Sequence, residues 1–468
     1  MAEIYVIYGR ENKDDTKRLV KLLSKRWTVW WDQLVKQRFV DEIHDELPKA
    51  KCTLVLWSDT SRLKDTVTDE VKLAQQYGVP IISVSLDGSD PAYGFGGYAT
   101  DNLSGWNGEE NHAALTQLFY RLAEHLPPAK PPTRPVEIAN GRLPLPTLFL
   151  SVSSFETQLV PDGAVRALAL ARAPAVLVSA WDLVARRKPQ AMLEALEEYR
   201  ATGGFILLDS GNYEASRLTA KRWMPSDLEA VFQTVAFDWA FCFDKMKPSL
   251  HPARNAEKII AMANRDQALT DAPILPVIHA PRLKSGGYKS EIIPTVTRLV
   301  AEALQPAMIG IPERELGPGI SQRITTMQSI RRELDRLPFY QPIHLLGTGN
   351  PWTVAIMAAA GADSFDGLEW CRTVVDQEND RLNHFQHFDL FTDQTRFAEL
   401  AVACEALDDE KVGFAAKVVL HNIDYFLKFN AKLRDMTHKD RLESFVTATM
   451  GKAAAEMLQR LNPEVFEK

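Results

Sequence analysis

The sequence predicts an α/β protein in two parts: a small parallel sheet, then a (β/α)8 barrel with a helical C-terminal extension. First, short apolar runs alternate with amphipathic helical patterns along most of the chain. Second, five prolines interrupt this alternation in the segment LPPAKPPTRPV at 126–136. Third, eight strand-like runs follow the interruption over about 230 residues, which is typical of a (β/α)8 barrel.

Four apolar runs in the first part have the length of buried parallel strands, and amphipathic helices separate them. These runs lie at 4–8, 27–31, 52–57 and 80–86. The proline-rich segment cannot continue a helix or a central strand, which indicates a semi-rigid linker. We therefore expect four parts, namely an N-terminal domain at 1–126, a linker at 127–141, the barrel at 142–376 and a helical region packed on the barrel at 377–468.

The eight strand-like runs of the second part are short, apolar and separated by helical patterns. They lie near 147–151, 175–179, 204–209, 239–243, 274–278, 307–311, 343–346 and 363–366. Six polar residues stand at or just beyond the ends of these runs, namely Ser179, Asp209, Asp244, His279, Glu313 and Asp366. Because active sites of such barrels form at the carboxyl ends of the strands, we expect a site there.

Composition places limits on the function. With 46% hydrophobic and 25% charged residues, the chain is typical of a globular protein. It has no run of about 20 apolar residues and no signal-peptide pattern, so we expect a cytoplasmic protein without membrane contact. A net charge of -7 argues against a nucleic-acid binder that relies on bulk positive charge. The scattered cysteines predict neither a disulfide framework nor a thiolate metal site; they are Cys52, Cys242, Cys371 and Cys404.

Several motifs occur in order in the first 110 residues. They are IYVIYGREN, VWWD, KCTLVLWSDTS with DTVTDEVKLA, and SLDGSDPAYGFGGYATDNLSGW. Through them the segment resembles a bacterial TIR domain of the NAD-cleaving type, which implies a flavodoxin-like fold. After VWWD the family usually carries a longer loop with Pro-Gly, whereas this chain reads DQLVKQRFVDEI. That loop commonly mediates stacking between TIR domains, so the mode of assembly is expected to differ.

In enzymatic TIR domains the catalytic glutamate lies in the helix after an SxxS loop, and the resemblance gives that role to Glu70. A fixed carboxylate stabilises the oxocarbenium-like ribose that forms as nicotinamide leaves. The resemblance also places a group of NAD-binding residues at the cleft, namely Tyr8, Gly9, Arg10, Trp30, Trp31 and Asp32. Most glutamates on helices are simply solvated, and some TIR domains only assemble, so turnover needs a test. Because neighbouring strand residues face opposite ways, one of the two tryptophans is expected to pack in the core.

A second resemblance covers about 143–433. The motifs are GGFILLDSGNYEASR, FDWAFCFDKMKPSLHPARNAEK, GADSFDGLEWCR and AAKVVLHNIDYFLKF. In this order they resemble the tRNA-guanine transglycosylases, enzymes that exchange guanine for a deazaguanine base. The resemblance implies that Asp366 is the nucleophile, Asp209 handles the proton and Asp244 recognises the base. It also implies further base-binding positions at Ser210, Gly211, His279 and Gly310.

The barrel departs from this second family at several positions. DSGNY replaces DSGGFQ, the segment PVIHA puts His279 in place of a glutamine, and the glycine-rich turn reads IGIPERELG. Such changes imply a different base, or binding without exchange. His421 matches the family's histidine ligand to zinc, but HFQHFDLFTDQ stands where C-x-C-x-x-C is expected. We therefore expect no zinc site and no bound cofactor. A single aspartate at a strand end often only caps a turn.

Together, the two resemblances predict a regulated NAD+ glycohydrolase that releases nicotinamide with ADP-ribose or a cyclic product. NAD+ is then a substrate, the barrel senses a nucleobase, nucleotide or nucleic acid, and a homo-oligomer is expected. Bacterial TIR enzymes that are fused to a ligand-binding domain are usually immune effectors, so the resemblance implies a role in antiphage defence. Two alternatives remain open: a base-exchange enzyme whose TIR domain recruits or assembles, and a non-enzymatic scaffold.

Overall fold

A computed structural model of the protein describes residues 2–32, 39–109, 112–126, 132–154, 158–184, 189–217, 223–244 and 247–466. The chain divides into two compact units, Met1–Thr133 with Arg332–Tyr340 and Arg134–Arg331 with Gln341–Lys468. In the described part of the chain, no helix is both long and apolar enough to cross a membrane.

The first unit contains a five-stranded parallel sheet in the order β2-β1-β3-β4-β5. Its strands are β1 Ile4–Tyr8, β2 Val29–Trp30, β3 Cys52–Trp57, β4 Ile81–Ser85 and β5 Thr100–Asn102. Its helices are α1 Lys13–Leu23, α2 Phe39–Glu46, α3 Asp65–Gln76 and α4 Ala113–His125. Short 3-10 helices lie at Arg10–Asn12, Leu47–Lys49 and Ser61–Leu63. This strand order is the flavodoxin-like one, as predicted.

The two faces of this sheet carry separate hydrophobic cores. On one face, Leu19 of α1 and Phe119 of α4 pack with Leu54 of β3. On the other, Val71 of α3 packs with Val55 of β3. The helices that follow β1 and β3 therefore cover opposite faces, which makes the edge between these two strands a topological switch point. Open parallel sheets bind their ligands at the carboxyl ends of the strands at such a point.

The second unit contains eight parallel strands in the order β12-β11-β10-β9-β8-β15-β14-β13. A short antiparallel hairpin precedes them, formed by β6 Glu137–Ile138 and β7 Leu143–Pro144. The eight strands are β8 Thr147–Val152, β9 Ala175–Ser179, β10 Phe205–Asp209, β11 Trp239–Phe241, β12 Ile274–Leu275, β13 Ile309–Pro312, β14 Ile343–Leu346 and β15 Ser364–Gly367. All eight runs expected from the sequence are strands, so the predicted barrel is confirmed.

The barrel closes where the chain beyond β12 meets β13. Ile278 N donates to Gly310 O at 2.8 Å, and Gly310 N donates to Pro276 O at 2.9 Å. A glycine is needed there because a Cβ at position 310 would lie 2.7 Å from the Phe241 ring. We call this junction the seam. Fewer residues are paired across it than between neighbouring strands such as β9 and β10.

Helices alternate with the strands of the barrel, and several begin with proline in the first turn, where its missing N–H costs nothing. They are α5 Pro161–Leu170, α6 Ala180–Val184, α7 Pro189–Ala201, α8 Asn212–Arg217, α9 Pro225–Thr234, α10 Pro252–Gln267, α11 Ile293–Leu304, α12 Ile320–Leu334, α13 Pro351–Ala359 and α14 Glu369–Arg372. Two further 3-10 helices occupy Ser290–Ile292 and Glu313–Leu316.

The C-terminal region is helical from Ala401, but it is preceded by an antiparallel hairpin that the sequence pattern did not indicate. The hairpin consists of β16 Thr373–Asp376 and β17 Arg381–His384, followed by a 3-10 helix at Phe385–Phe397. The helices are α15 Ala401–Asp408, α16 Phe414–His438, α17 Leu442–Met450 and α18 Lys452–Leu461, with a last 3-10 turn at Pro463–Val465.

The last part of the proline-rich segment is attached to the barrel by a buried ion cluster. Asp363 is fully buried just before β15 and accepts from Arg134 Nε at 2.8 Å and from Arg331 Nη2 at 3.2 Å. Arg134 also donates to the carbonyl oxygen of Ala362 at 3.3 Å. This attachment lies at the amino ends of the strands, the end opposite to the expected site.

Candidate active site and ligand-binding site

The first unit has a cleft of about 310 Å³ at the carboxyl ends of β1 and β2. Six of the seven residues expected at an NAD site line it, and Val6, Glu11, Lys64 and Thr66 complete the wall. The six are Tyr8, Gly9, Arg10, Trp30, Asp32 and Glu70. They come from three separate segments, and the sheet's topology brings them to its switch point.

The two adjacent tryptophans face different sides of the sheet. Trp30 lines the cleft and stacks on Tyr5, with ring centroids 4.4 Å apart and planes 14° apart. Trp31 packs against the core of the opposite face, and its ring lies 5.8 Å from that of Tyr8. Of the two tryptophans, Trp30 is therefore the one available to a ligand, whereas Trp31 supports the wall behind it.

Glu70 is half-buried on α3, and its surroundings favour the protonated form. Burial and the negative charge of Asp32 raise its pKa from 4.5 to about 7, although a hydrogen bond from Tyr5 opposes this rise. That bond is long, at 3.5 Å from Tyr5 Oη to Glu70 Oε2. Tyr8 Oη donates in turn to Asp32 Oδ1. Two of the carboxyl groups in the cleft, those of Glu70 and Asp32, thus each accept a hydrogen bond from a tyrosine of β1.

The loop before α3 is held by its two serines. Ser58 N donates to Ser61 Oγ at 2.7 Å, and Ser61 N donates to Ser58 Oγ at 3.0 Å. Ser58 Oγ also donates to Asn12 Oδ1 at 2.8 Å, which links this loop to the one after β1. A Cβ at Gly9 would lie 2.9 Å from Ser61 Cβ, so the two loops approach closely only with glycine there. The SxxS loop therefore sets the position from which Glu70 projects.

The second unit has a pocket of about 300 Å³ at the carboxyl ends of the barrel strands, which we call the mouth pocket. Five of the predicted barrel residues line it, namely Asp209, Ser210, Asp244, His279 and Asp366. Gly211 and Gly310 do not; they shape the backbone. Gly211 has φ +74, and a Cβ there would lie 2.5 Å from Trp181 N.

Asp366 is held by three donors at the end of β15. Ser151 Oγ donates to its Oδ2 at 2.7 Å, while Gly347 N and His344 Nε2 donate to Oδ1 at 2.8 Å and 3.2 Å. His344 is fully buried, and its Nδ1 lies 2.8 Å from Ser364 Oγ. This arrangement fixes the direction of the carboxylate, as a nucleophile or a ligand anchor requires.

His279 lies between two carboxylates. Its Nε2 is 2.7 Å from Asp244 Oδ2 and its Nδ1 is 3.1 Å from Glu315 Oε1. Burial alone would lower its pKa, but the two carboxylate partners raise it to about 10. The ring is therefore an imidazolium at neutral pH and donates in both directions. Burial would raise the pKa of Asp244, but His279 and the hydroxyl of Ser210 hold it below its usual range.

Glu315 ties this group across the seam. It follows β13, yet it accepts hydrogen bonds from His279 and from the backbone N–H of Ala280 at 2.7 Å. The charges of Glu315, His279 and Asp244 thus form a continuous chain from β13, over the seam, to the end of β11.

Three other carboxyl groups of the mouth pocket have a pKa above the ordinary value. Burial raises the pKa of Asp209 well above its ordinary value, with the charges of Glu214 and Asp244 adding to the effect. Burial and Asp182 raise the pKa of Glu214, and burial raises that of Glu369. Asp209 Oδ2 accepts from Gly211 N at 3.0 Å and Glu214 Oε1 from Ser153 Oγ at 3.2 Å.

Sequence reasoning missed the other charged and aromatic residues of the mouth pocket, which are Tyr213, Glu214, Arg314, Glu369 and Arg372. Each follows a strand end by a few residues, inside or next to a motif that had been recognised, so a wider window at each strand end would have found them. Arg314 lies over the ring of Tyr213, with its guanidinium carbon 5.0 Å from the ring centroid.

The residues around His421 do not fit a zinc ion. His421 is fully buried; its Nε2 lies 2.9 Å from Val375 O, and its Nδ1 is 3.3 Å from Gln377 Nε2. The ring of Phe388 packs against it at 5.4 Å. Asn422, the next residue, fastens α16 to the hairpin by accepting from Val375 N at 3.0 Å and donating to Thr373 O at 2.7 Å. Among the described residues no cluster has the composition of a metal site.

The fold and cleft of the first unit define its class: a flavodoxin-like α/β domain with a carboxylate-bearing cleft at the switch point. Comparison with known families agrees, since residues 4–119 match the model of the TIR domain. These residues form a TIR domain, which is roughly a quarter of the chain. No curated protein matches the chain significantly.

Proposed function

We propose that the protein is an NAD+ glycohydrolase in which the TIR domain releases nicotinamide and the barrel senses a nucleobase, nucleotide or nucleic-acid ligand. One observation carries the proposal: Glu70, Asp32 and Trp30 meet in a single cleft at the switch point of a TIR domain. Trp30 offers a stacking face for a planar ring. Its stacking on Tyr5 fixes that face in place.

The chemistry follows from the carboxyl groups of the cleft. As the bond between nicotinamide and ribose breaks, positive charge develops on the ribose carbon and ring oxygen. An ionised Glu70 beside that charge stabilises the transition state more than the ground state, which is what accelerates the step. Water or a hydroxyl of the same nucleotide then completes the reaction and gives ADP-ribose or a cyclic product. In this proposal NAD+ is the substrate, and no resident cofactor takes part.

The barrel supplies the regulation in this proposal. Its mouth pocket has the size of a small-molecule site and gathers charged groups from five strand ends. Bacterial TIR enzymes coupled to such a sensor act in antiphage defence, and we propose the same role here, with activity in a cytoplasmic oligomer.

The test is to incubate the purified full-length chain with NAD+ and candidate nucleobases, nucleotides and nucleic acids, and to identify products by mass. Glu70→Gln should reduce nicotinamide release by about 100-fold or more. Glu124→Gln, an exposed glutamate on α4, is the matched control and should act like the unchanged protein. NAD+ that stays intact with every activator class at high protein concentration would sink the proposal.

A second candidate function is base exchange by the barrel, because Asp209, Asp244 and Asp366 converge in one pocket. It assigns covalent attack on a ribose carbon to Asp366 and proton transfer to Asp209, with the TIR domain as an assembly or recruitment module. Incorporation of a labelled base into tRNA or DNA that Asp366→Asn abolishes would favour this function over the first.

A further inference from the structure

The mouth pocket contains more carboxyl groups than its own donors satisfy. Asp244 and Asp366 are fully occupied by the contacts described above. Glu214 is 8% exposed and lines the pocket, and its Oε2 is buried. The hydroxyl of Ser179 is close enough to lower the pKa of Glu214, but no donor of the described residues lies within hydrogen-bond distance of that oxygen, and the same holds for the buried Oε2 of Glu369.

Three positive groups line the pocket, and Arg372 is one of them; its charge lowers the pKa of the neighbouring Glu369. His279 donates both ring N–H groups to Asp244 and Glu315. Arg314 lies over Tyr213 and donates to its hydroxyl at 3.4 Å. Among the residues that the structure describes, no ion pair joins Glu214 to a cation, and a buried carboxyl without such a partner favours an incoming donor.

The remaining wall is apolar and suits a flat ring. Leu177, Val277 and Leu346 line the pocket together with the ring of Tyr213. A bare metal ion would instead need several carboxylates arranged around one point, and the described residues contain no such cluster. Apolar walls with inward-facing acceptors favour an organic ligand that has a ring body and N–H donors.

We propose that the mouth pocket binds an organic cation, a planar nitrogen heterocycle with an amidinium-type group that donates N–H bonds to Glu214 and Asp209. This inference rests on the proposed sensing function and specifies its ligand. Glu214 is the residue that selects charge, and the apolar wall selects the ring. Burial raises the pKa of both carboxyl groups, and a bound cation should lower these pKa values, so binding should be accompanied by proton release.

The experiment measures binding to the full-length chain by titration calorimetry, with two ring-matched probes. The probes are 2-aminobenzimidazole, used at a pH where it is a cation, and benzimidazol-2-one, which is neutral. The cation should bind about tenfold or more tightly than the neutral probe, as expected for charge-assisted hydrogen bonds. Its apparent binding enthalpy should depend on the ionisation enthalpy of the buffer in the sense of proton release.

Glu214→Gln should reduce the preference for the cation to within about twofold, because the neutral amide keeps the shape and loses the charge. Glu197→Gln, an exposed glutamate on α7, should keep the preference. Equal binding of the two probes, a preference that survives in Glu214→Gln, or displacement of the cation by Mg²⁺ would overturn the inference. If Glu214→Gln does not fold, the probe comparison and proton release in the unchanged chain decide.

This result is separable from the proposed NAD+ chemistry, since the readout is heat rather than turnover. Probe binding that leaves NAD+ cleavage unchanged would remove the regulatory role and keep the ligand class. NAD+ cleavage that is triggered by a neutral base, with no binding of the cation, would keep the regulatory role and remove the proposed ligand class.

Discussion

The proposed role of Glu70 makes NAD+ cleavage depend on pH in a direction that the structure fixes. The active form is the carboxylate, and burial with the charge of Asp32 raises the pKa of Glu70 to about 7. About a tenth of the molecules then carry the carboxylate at pH 6 and about nine tenths at pH 8. The value of kcat/KM for NAD+ should therefore rise about tenfold over this range and level off above it.

Two substitutions should move the midpoint of this profile in opposite directions. Asp32→Asn removes a negative charge that raises the pKa of Glu70, so its midpoint should move to lower pH. Tyr5→Phe removes the hydrogen bond that lowers that pKa, so its midpoint should move to higher pH. Initial rates of nicotinamide release between pH 5 and pH 9 give both midpoints. A flat or falling profile in the unchanged protein, or shifts of the same sign in both variants, would refute the reasoning.

Three further predictions concern the barrel. Asp363→Asn should lower the free energy of unfolding by about 3 kcal/mol or more in denaturant titrations, since Arg134 and Arg331 lose their fully buried counter-ion. Gly211→Ala should cost about 1–3 kcal/mol in the same measurement, because φ is +74 and the added Cβ meets helix α6. The pKa of His279 is raised from 6.5 to about 10, so its stabilising effect is complete below about pH 6.5 and disappears as pH rises through 10. The melting temperature of His279→Gln should therefore not show the decrease at alkaline pH that is expected of the unchanged protein. An equally large decrease in both proteins would argue against a stabilising role of the His279 charge.

The strands could be predicted because a parallel strand buried on both faces is a continuous apolar run. The run at 52–57 is β3 residue for residue, with all six side chains buried. The pattern failed where strands are polar: β5 reads TDN, and β17 reads RLNH with no fully buried residue. The motif SLDGSDPAYGFGGYATDNLSGW contains β5, but no apolar run marked that strand. Edge strands of this kind have no apolar signature to detect.

The sites could be predicted in part for a similar reason. Strand-end positions are local in sequence, so Asp209, Asp244 and Asp366 were found without knowledge of the strand order. The pairing of His279 with Glu315 spans 36 residues and exists only because the barrel closes between β12 and β13. Tyr5 lies within an apolar strand and has the pattern of a core residue, yet its hydroxyl reaches Glu70.

The seam gives the mouth pocket a mechanical meaning. His279 and Arg314 line the same pocket but lie on opposite sides of the seam, which has little backbone pairing of its own. A ligand that contacts residues on both sides of the seam therefore stabilises the closed barrel. Its affinity includes the free energy needed to keep the two sides together. By linkage, a ligand that binds more tightly also lowers the fraction of barrels that are open at the seam. Ligand binding and barrel closure are then thermodynamically coupled. In a sensor, this coupling would convert binding into a structural change within the barrel itself.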